Sequence, residues 1–178
     1  MAVREILIYP QARQELRQKS SPVLKVDEKV RRLIQDLNDT LKASLNGIGL
    51  AAPQINRHQR MVVVCLGEGE GKEWNSGPPV VLVNPQILES GDERKDFDGC
   101  LSFPGLYGKT KRPHYLRVKG LDHKSKPFDR IFRGFNAVAV HHEIDHLDGI
   151  LFIDRVENIH DLYRIEENER GEQVSIPV

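Results

Sequence analysis

The fold is decided by the stretch NAVAVHHEIDHLDG, residues 136–149. After Asn136, the stretch starts with small apolar residues and ends at Gly149. It therefore predicts a helix that begins at Gly134 or Asn136 and stops at Gly149. The apolar run 150–152 follows directly, which favours a helix that passes through the interior of the protein. Because unpaired polar side chains are costly in an interior, the histidines and the glutamate of this helix require partners.

Residues 142–146 form the pattern H-E-x-x-H. On a helix, positions four apart share one face, so the imidazoles of His142 and His146 can hold one metal ion. Glu143 follows the first ligand and can reach a water on that metal as a general base. His141 points about 100° away around the helix, so we expect it beside the site or on the surface and not on the metal.

A catalytic metal site of this kind uses three protein ligands and keeps one position open. Cys100 is one candidate for the third ligand, because the neighbouring Gly99 permits close approach of the chain to a metal. An ordinary buried cysteine is the alternative for Cys100, and spacing alone does not decide between the two. A carboxylate from the charged tail is the other candidate, with the formal choices Glu166, Glu167 and Glu169.

Outside the metal helix, the sequence predicts a second helix and several strands. Asp27 is a plausible N-cap for a helix that ends near 44–46, with apolar residues three and four apart at Val30, Leu33, Ile34, Leu37 and Leu41. Strands are predicted at 59–66 and 80–89, with a mobile loop over 67–79 between them. Pro85 predicts an edge position or a bulge in the second of these strands. Further strands at 114–120 and 128–132 are predicted to form a hairpin.

The strands precede the metal helix, and no regular alternation of strand and helix is present. This order predicts an α+β fold, a compact single domain with mostly antiparallel strands packed around a central metal-binding helix. We expect one catalytic domain over residues 1–178. The charged tail, from about residue 157, is predicted to form a short helix over 159–167 and then a loose end.

The composition excludes few functions and favours none. The chain has 178 residues, and its 26 Lys and Arg balance its 26 Asp and Glu, so nothing suggests nucleic-acid readout. A local basic stripe is predicted to be a solvated strand face: Lys109, Lys111, Arg112, Arg117 and Lys119. Without a membrane-length apolar run or a signal core, we expect no membrane partner and a cytoplasmic location, or an organellar one after loss of a transit peptide. Cys65 and Cys100 are expected to be reduced, Cys65 as a core residue.

Three blocks of the sequence resemble the peptide deformylase family, in the order the family has them. They are GIGLAAPQ at 47–54, DGCLS at 98–102 and HEIDHLDG at 142–149. They match the family patterns G-x-G-x-A-A-P-Q, E-G-C-L-S and H-E-x-D-H-L-x-G. The resemblance extends over nearly the whole chain, and three such blocks at this spacing are highly specific.

The resemblance implies a metal held by Cys100, His142 and His146, with Fe²⁺ as the usual ion and Zn²⁺, Ni²⁺ or Co²⁺ able to replace it. It implies hydrolysis of the formyl group from the N-formyl-methionyl end of nascent chains, with release of formate. Gln54 and the backbone N–H of Leu101 would donate hydrogen bonds to the formyl oxygen, and Glu143 would act as the base. Transient association with the ribosome is expected from such a substrate. The residues expected to bind the substrate are Ile48, Gly49, Gly99 and Val138.

Two residues beside the site depart from the family pattern. Asp98 stands where the family usually has Glu, and His141 stands where it usually has Gln. Neither is a proposed ligand or the base, so we expect them to affect rate or preference and not the reaction. The competing hypotheses are a small zinc endopeptidase with a glutamate ligand from the tail, and a metal-stabilised module that only binds peptide termini.

Overall fold

The computed structural model of this chain describes residues 2–68, 75–167 and 173–178. Its helices are α1 (Arg13–Leu16), α2 (Glu28–Ala43) and α3 (Phe135–Leu147). Its strands are β1 (Gly49–Ala51), β2 (Met61–Glu68), β3 (Asn75–Gly99), β4 (Leu106–Leu121), β5 (Pro127–Arg133), β6 (Leu162–Glu167) and β7 (Gln173–Pro177). Single 3-10 turns lie at Ala52–Ile55, Phe152–Arg155 and Ile159–Asp161.

The strands of the described residues form one antiparallel sheet in the order β1-β2-β3-β4-β6-β7, and β5 pairs with β4 beside that path. The long strand β3 pairs with β2 through its first part and with β4 through the rest. One antiparallel sheet with a few helices confirms the predicted α+β class. The register shifts between Val83 and Gln86, so the predicted bulge at Pro85 is confirmed.

The helices α2 and α3 pack against opposite faces of the sheet, and β2 shows why. Side chains alternate between the two faces of a strand. Met61, Val63 and Cys65 join the apolar cluster around α2. Val62 and Val64 join the cluster around α3. The continuous apolar run of β2 therefore contributes to both cores, and α3 packs against the sheet face that carries Val62 and Val64.

The helix α3 is buried on all sides, since residues 137–147 are all buried. It begins after Gly134 and ends at Leu147, as predicted, and Gly149 adopts a positive φ of 72°. A Cβ at Gly149 would clash with the backbone carbonyl of Arg17. The N-terminal segment thus packs directly against the end of the helix, where Ser20 N donates to Leu147 O at 2.8 Å.

The helix α2 agrees with its prediction. Asp27 is its N-cap, and the carboxylate accepts a hydrogen bond from Val30 N at 3.0 Å. All five apolar positions predicted for its inner face are buried. This helix follows from local periodicity and one capping residue, which are both readable in a short window of sequence.

Two predictions on irregular segments were wrong. The stretch 159–167 forms a 3-10 turn and then β6, because Leu106 to Gly108 of β4 pair with Leu162 to Arg164. The predicted loop at 67–79 is shorter, because β2 continues to Glu68 and β3 begins at Asn75; residues 69–74 lie outside the described ones.

Both cysteines are free thiols, and Cys65 is a core residue, as predicted. Within the described ranges, every helix is too short or too polar to cross a membrane.

Candidate metal centre

Two parts of the fold bring three ligand side chains together. The helix α3 carries His142 and His146 one turn apart, and the turn after β3 carries Cys100. The sulfur and the two ring nitrogens all lie within 4.8 Å of one another. Cys100 Sγ is 3.3 Å from Nε2 of His146. Among the described residues, this trio is the group that could hold a metal ion.

Among the described residues, this group contains no carboxylate from the tail. Glu166 is exposed on β6, and Glu169 lies outside the described residues. The structure thus brings Cys100 to His146, 46 positions away in sequence, a contact that residue spacing did not decide.

The donor set and its surroundings fit a divalent transition metal. One thiolate and two imidazoles suit Zn²⁺, Fe²⁺, Co²⁺ or Ni²⁺ and leave a position for water or substrate. Burial lowers the pKa of His146 to about 3, so this imidazole is neutral, which is the form that ligates metals. Two buried polar atoms, Glu143 Oε2 and His146 Nδ1, have no hydrogen-bond partner among the described residues.

Glu143 lies beside this group with its carboxylate held against β1. A Cβ at Gly49 would come within 2.7 Å of the Glu143 Cδ atom, so only glycine lets the strand approach this closely. The side chain is buried, and burial raises the pKa of Glu143 to about 7. A carboxylate with such a pKa can accept and return a proton near neutral pH.

Asp98 orients the first histidine. Its Oδ1 lies 2.8 Å from His142 Nδ1, which donates to it and leaves Nε2 for a metal. Thr110 Oγ1 and Arg112 Nε donate to the other oxygen, at 3.0 and 2.7 Å. Burial alone would raise the pKa of Asp98, but His142 and Arg112 hold it well below its usual range. The same contact raises the pKa of His142 against the effect of its burial.

Arg112 corrects one prediction, because it is among the most buried residues of the protein and no part of a solvated face. Its Nη1 donates to Asp145 Oδ2 at 2.7 Å and lies 2.8 Å from Nδ1 of His141. Burial lowers the pKa of His141 to about 4, so the ring is neutral and accepts this hydrogen bond. The available signal was alternation along β4, where Arg112 shares its parity with the core residues Leu116 and Val118.

The side-chain amide of Gln54 lies beside Cys100 of the metal group. Its Oε1 accepts from Ala51 N at 2.8 Å, which fixes the orientation of the amide. Its Nε2 lies 3.1 Å from Ser102 Oγ and 3.5 Å from Cys100 Sγ. The amide therefore stands at the edge of the metal group as a donor.

A cleft of about 370 Å³ opens onto this group. Its polar lining includes Cys100, Glu143, Gln54 and His142. All four residues expected to bind the substrate line it as well, with Leu101 beside them: Ile48, Gly49, Gly99 and Val138. Sequence reasoning did not find three exposed residues of the lining: Leu45, Phe97 and Tyr107.

Known proteins resemble this chain over most of its length. The family model described as polypeptide deformylase matches residues 3–161. A peptide deformylase of Alkalilimnicola ehrlichii is 42% identical and covers 86% of this chain and 82% of its own. The crystal structure of a peptide deformylase from Legionella pneumophila is 40% identical, with a TM-score of 0.76 and coverage of 88% of this chain and 87% of that chain.

A third match contains a bound peptide. The Met-Ala-Ser bound crystal structure of a class I type b peptide deformylase from Acinetobacter baumannii is 30% identical, with a TM-score of 0.78. It covers 87% of this chain and 100% of that chain. With the family model spanning most of the sequence, and with Glu143 and the cleft beside the Cys100, His142 and His146 group, this chain belongs to the polypeptide deformylase family.

Proposed function

We propose that this chain hydrolyses the N-formyl group from the formyl-methionyl end of nascent polypeptides, with residues 1–178 acting as one catalytic domain. The observation that carries the proposal is the position of Glu143 beside the Cys100, His142 and His146 group, since it is a buried carboxylate whose Oε2 has no hydrogen-bond partner in the described part of the chain. The bound Met-Ala-Ser of the Acinetobacter baumannii structure has the sequence expected of a deformylated terminus. Family membership and this geometry support the same reaction.

We propose that Cys100, His142 and His146 are the metal ligands and that Fe²⁺ is the ion in the cell, with Zn²⁺, Ni²⁺ or Co²⁺ able to replace it. When bound, the ion supplies Lewis acidity toward the formyl carbonyl and lowers the pKa of water. The ligand set supports one divalent ion per chain.

The residues of the chain then have separate tasks. Gln54 Nε2 and the Leu101 backbone N–H donate hydrogen bonds to the formyl oxygen, where negative charge develops. Glu143 takes a proton from the attacking water and passes it to the departing nitrogen as the C–N bond breaks. The products are formate and a free N-terminus, so atoms and protons balance.

The apolar part of the cleft accommodates the methionine side chain. Ile48 and Val138 supply apolar surface there, and Gly49 and Gly99 keep the walls free of side chains. A Cβ at Gly99 would come within 2.8 Å of the Tyr107 ring. A formyl group carries only hydrogen beyond its carbonyl, so a narrow site excludes acetylated termini by steric clash.

The test is formate release from formyl-Met-Ala-Ser, with protein prepared in Fe²⁺ without oxygen or loaded with Ni²⁺. We expect turnover in the wild type and its loss in Glu143→Gln, which keeps the size of the side chain and removes the base. Metal content is measured in both proteins. A wild type that is folded and metal-loaded but releases no formate would contradict the proposal.

We also propose transient association with the ribosome, in the cytoplasm or an organelle, because the substrate emerges there. Cosedimentation with translating ribosomes checks this. If the same amount of this protein sediments with and without ribosomes, the association is contradicted.

A further inference from the structure

Arg112 stands at the centre of a buried polar cluster beside the metal group. Its Nε donates to Asp98 Oδ2 at 2.7 Å, and its Nη1 donates to Asp145 Oδ2 at 2.7 Å. Its Nη1 also lies 2.8 Å from His141 Nδ1, and its Nη2 lies 3.4 Å from His142 Nδ1. The side chain is 1% exposed, so one guanidinium connects β4 to the end of β3 and to two turns of α3.

The cluster is balanced in charge. Arg112 and Arg155 face the carboxylates of Asp98 and Asp145. Within the described ranges, the guanidinium of Arg155 donates to Asp145 alone, at 2.8 and 3.1 Å. A guanidinium is planar and holds its donors at fixed angles. Arg112 therefore sets the distance between two carboxylates, whereas Arg155 supports one of them.

We propose that Arg112 is a positioning residue for the metal ligands. Through Asp98 it fixes the ring of His142, and through Asp145 it fixes the turn of α3 that precedes His146. The proposal rests on the metal centre of the proposed function and is independent of the reaction. Partners of ligating histidines commonly change metal affinity by about 10–100-fold.

The two departures from the family pattern meet at this residue. Asp98 is shorter than the usual Glu by one methylene, and it touches Arg112 and His142 at the same time. His141 replaces the usual Gln and offers Arg112 an acceptor nitrogen. The departures thus belong to one hydrogen-bonded unit and keep the histidine orientation.

The experiment measures the rate at which EDTA removes Co²⁺ from the loaded protein, together with the visible absorption of the bound Co²⁺. Arg112→Lys keeps a positive charge but cannot span two carboxylates, so we expect Co²⁺ loss about tenfold faster or more and an altered spectrum. Arg155→Met is the matched control, since it removes a cation from Asp145 and leaves Asp98 untouched. We expect its Co²⁺ spectrum to match the wild type.

A second pair of variants keeps the test decisive if Arg112→Lys fails to fold. His141→Gln retains an acceptor for Arg112, and His141→Leu removes it. We expect the Co²⁺ loss rate to rise in His141→Leu and to stay near the wild-type rate in His141→Gln.

The thermal unfolding midpoint of each metal-free protein is also measured, so that changes in stability are separated from changes in metal retention. Lower stability of Arg112→Lys with unchanged Co²⁺ loss and spectrum would overturn the proposal. Equal effects of Arg112→Lys and Arg155→Met would also overturn it, because these two residues share only Asp145. Failure of formate release in the wild type would leave the Co²⁺ measurements decisive for this proposal and contradict only the proposed reaction.

Discussion

At the scale of single residues, Gly49 controls the position of the proposed base. Its missing side chain is the space that the Glu143 carboxylate fills. Displacing a catalytic group by about 1 Å can lower a rate by about 10²-fold. The position of the Glu143 carboxylate therefore depends on the lack of a Cβ at residue 49.

We expect Gly49→Ala to lower kcat by about 10²-fold, because the new Cβ displaces the carboxylate. Metal content should stay at the wild-type level, since no ligand is touched. Formate release and metal analysis check both statements. Gly91→Ala is the matched control, because a Cβ there meets nothing within 4 Å. Full activity in Gly49→Ala would show that Glu143 has no fixed position.

Cys100→Ala should abolish stoichiometric metal binding, because it removes one of the three proposed ligands from a site of a kind that needs three. Glu166→Ala should bind metal like the wild type, since this side chain is exposed on β6. Metal analysis after gel filtration distinguishes the two. Retention of metal by Cys100→Ala, or its loss from Glu166→Ala, would favour the tail carboxylate.

The residues of the site differ in how far sequence could predict them. His142, Glu143 and His146 lie within one turn of one helix, so spacing alone placed them together. Cys100 is distant in sequence; its neighbouring glycine and the polar character of the tail favoured it over the tail carboxylates, but only the resemblance to a family favoured a ligand over an ordinary buried cysteine. Arg112 was predicted to be a surface residue because it is charged, although its position on β4 alternates in phase with the core residues. Arginine is fully buried mainly where it is paired, and a partner distant in sequence could not be seen.

At the scale of elements, α2 and α3 could be predicted and the tail could not. A helix follows from local periodicity and caps, whereas a strand depends on the partner it meets. Leu162 to Arg164 become a strand because Leu106 to Gly108 offer their backbone groups. No local pattern in the tail records that pairing. The lengths of β3 and β4 escaped prediction for the same reason.

For α2, Asp27→Ala should lower the free energy of unfolding by about 1 kcal/mol, because it removes the N-cap hydrogen bond to Val30 N. Urea unfolding measures the change. Asp27→Asn serves as the control, since an amide oxygen still caps the helix. Formate release should be unchanged in both, and a large loss of activity would mean that α2 supports the site more directly than its packing indicates.

At the scale of the whole molecule, the ion pairs that join α3 to the sheet make stability depend on pH. Burial alone would raise the pKa of Asp145, but Arg155 and Arg112 hold it below its ordinary value. A carboxyl group whose folded pKa is lowered stabilises the fold above its unfolded pKa, about 3.9. That contribution is lost as the pH falls through the lower, folded pKa.

We therefore expect Asp145→Asn to lower the free energy of unfolding by about 3–5 kcal/mol at pH 7, since it removes one of the two buried carboxylates that pair with Arg112 and the carboxylate that pairs with Arg155. The difference from the wild type should shrink below about pH 4. Urea unfolding of the metal-free proteins from pH 3 to 7 checks this. Asp92→Asn is the control, because its pair with Arg94 is exposed and such pairs contribute little. A difference that is independent of pH would contradict the assignment.

Because Gln54, Cys100 and α3 form one site, the site can be completed only late in the synthesis of the chain. Chains grow from the N-terminus, and domains fold as units once their parts have emerged. The helix that carries both histidines lies in the last quarter of the sequence, so a growing molecule has no working site while its own first residue is already exposed. Under the proposed function, a growing chain therefore cannot process its own initiating residue, and this step falls to a finished molecule or waits until synthesis of the chain is complete.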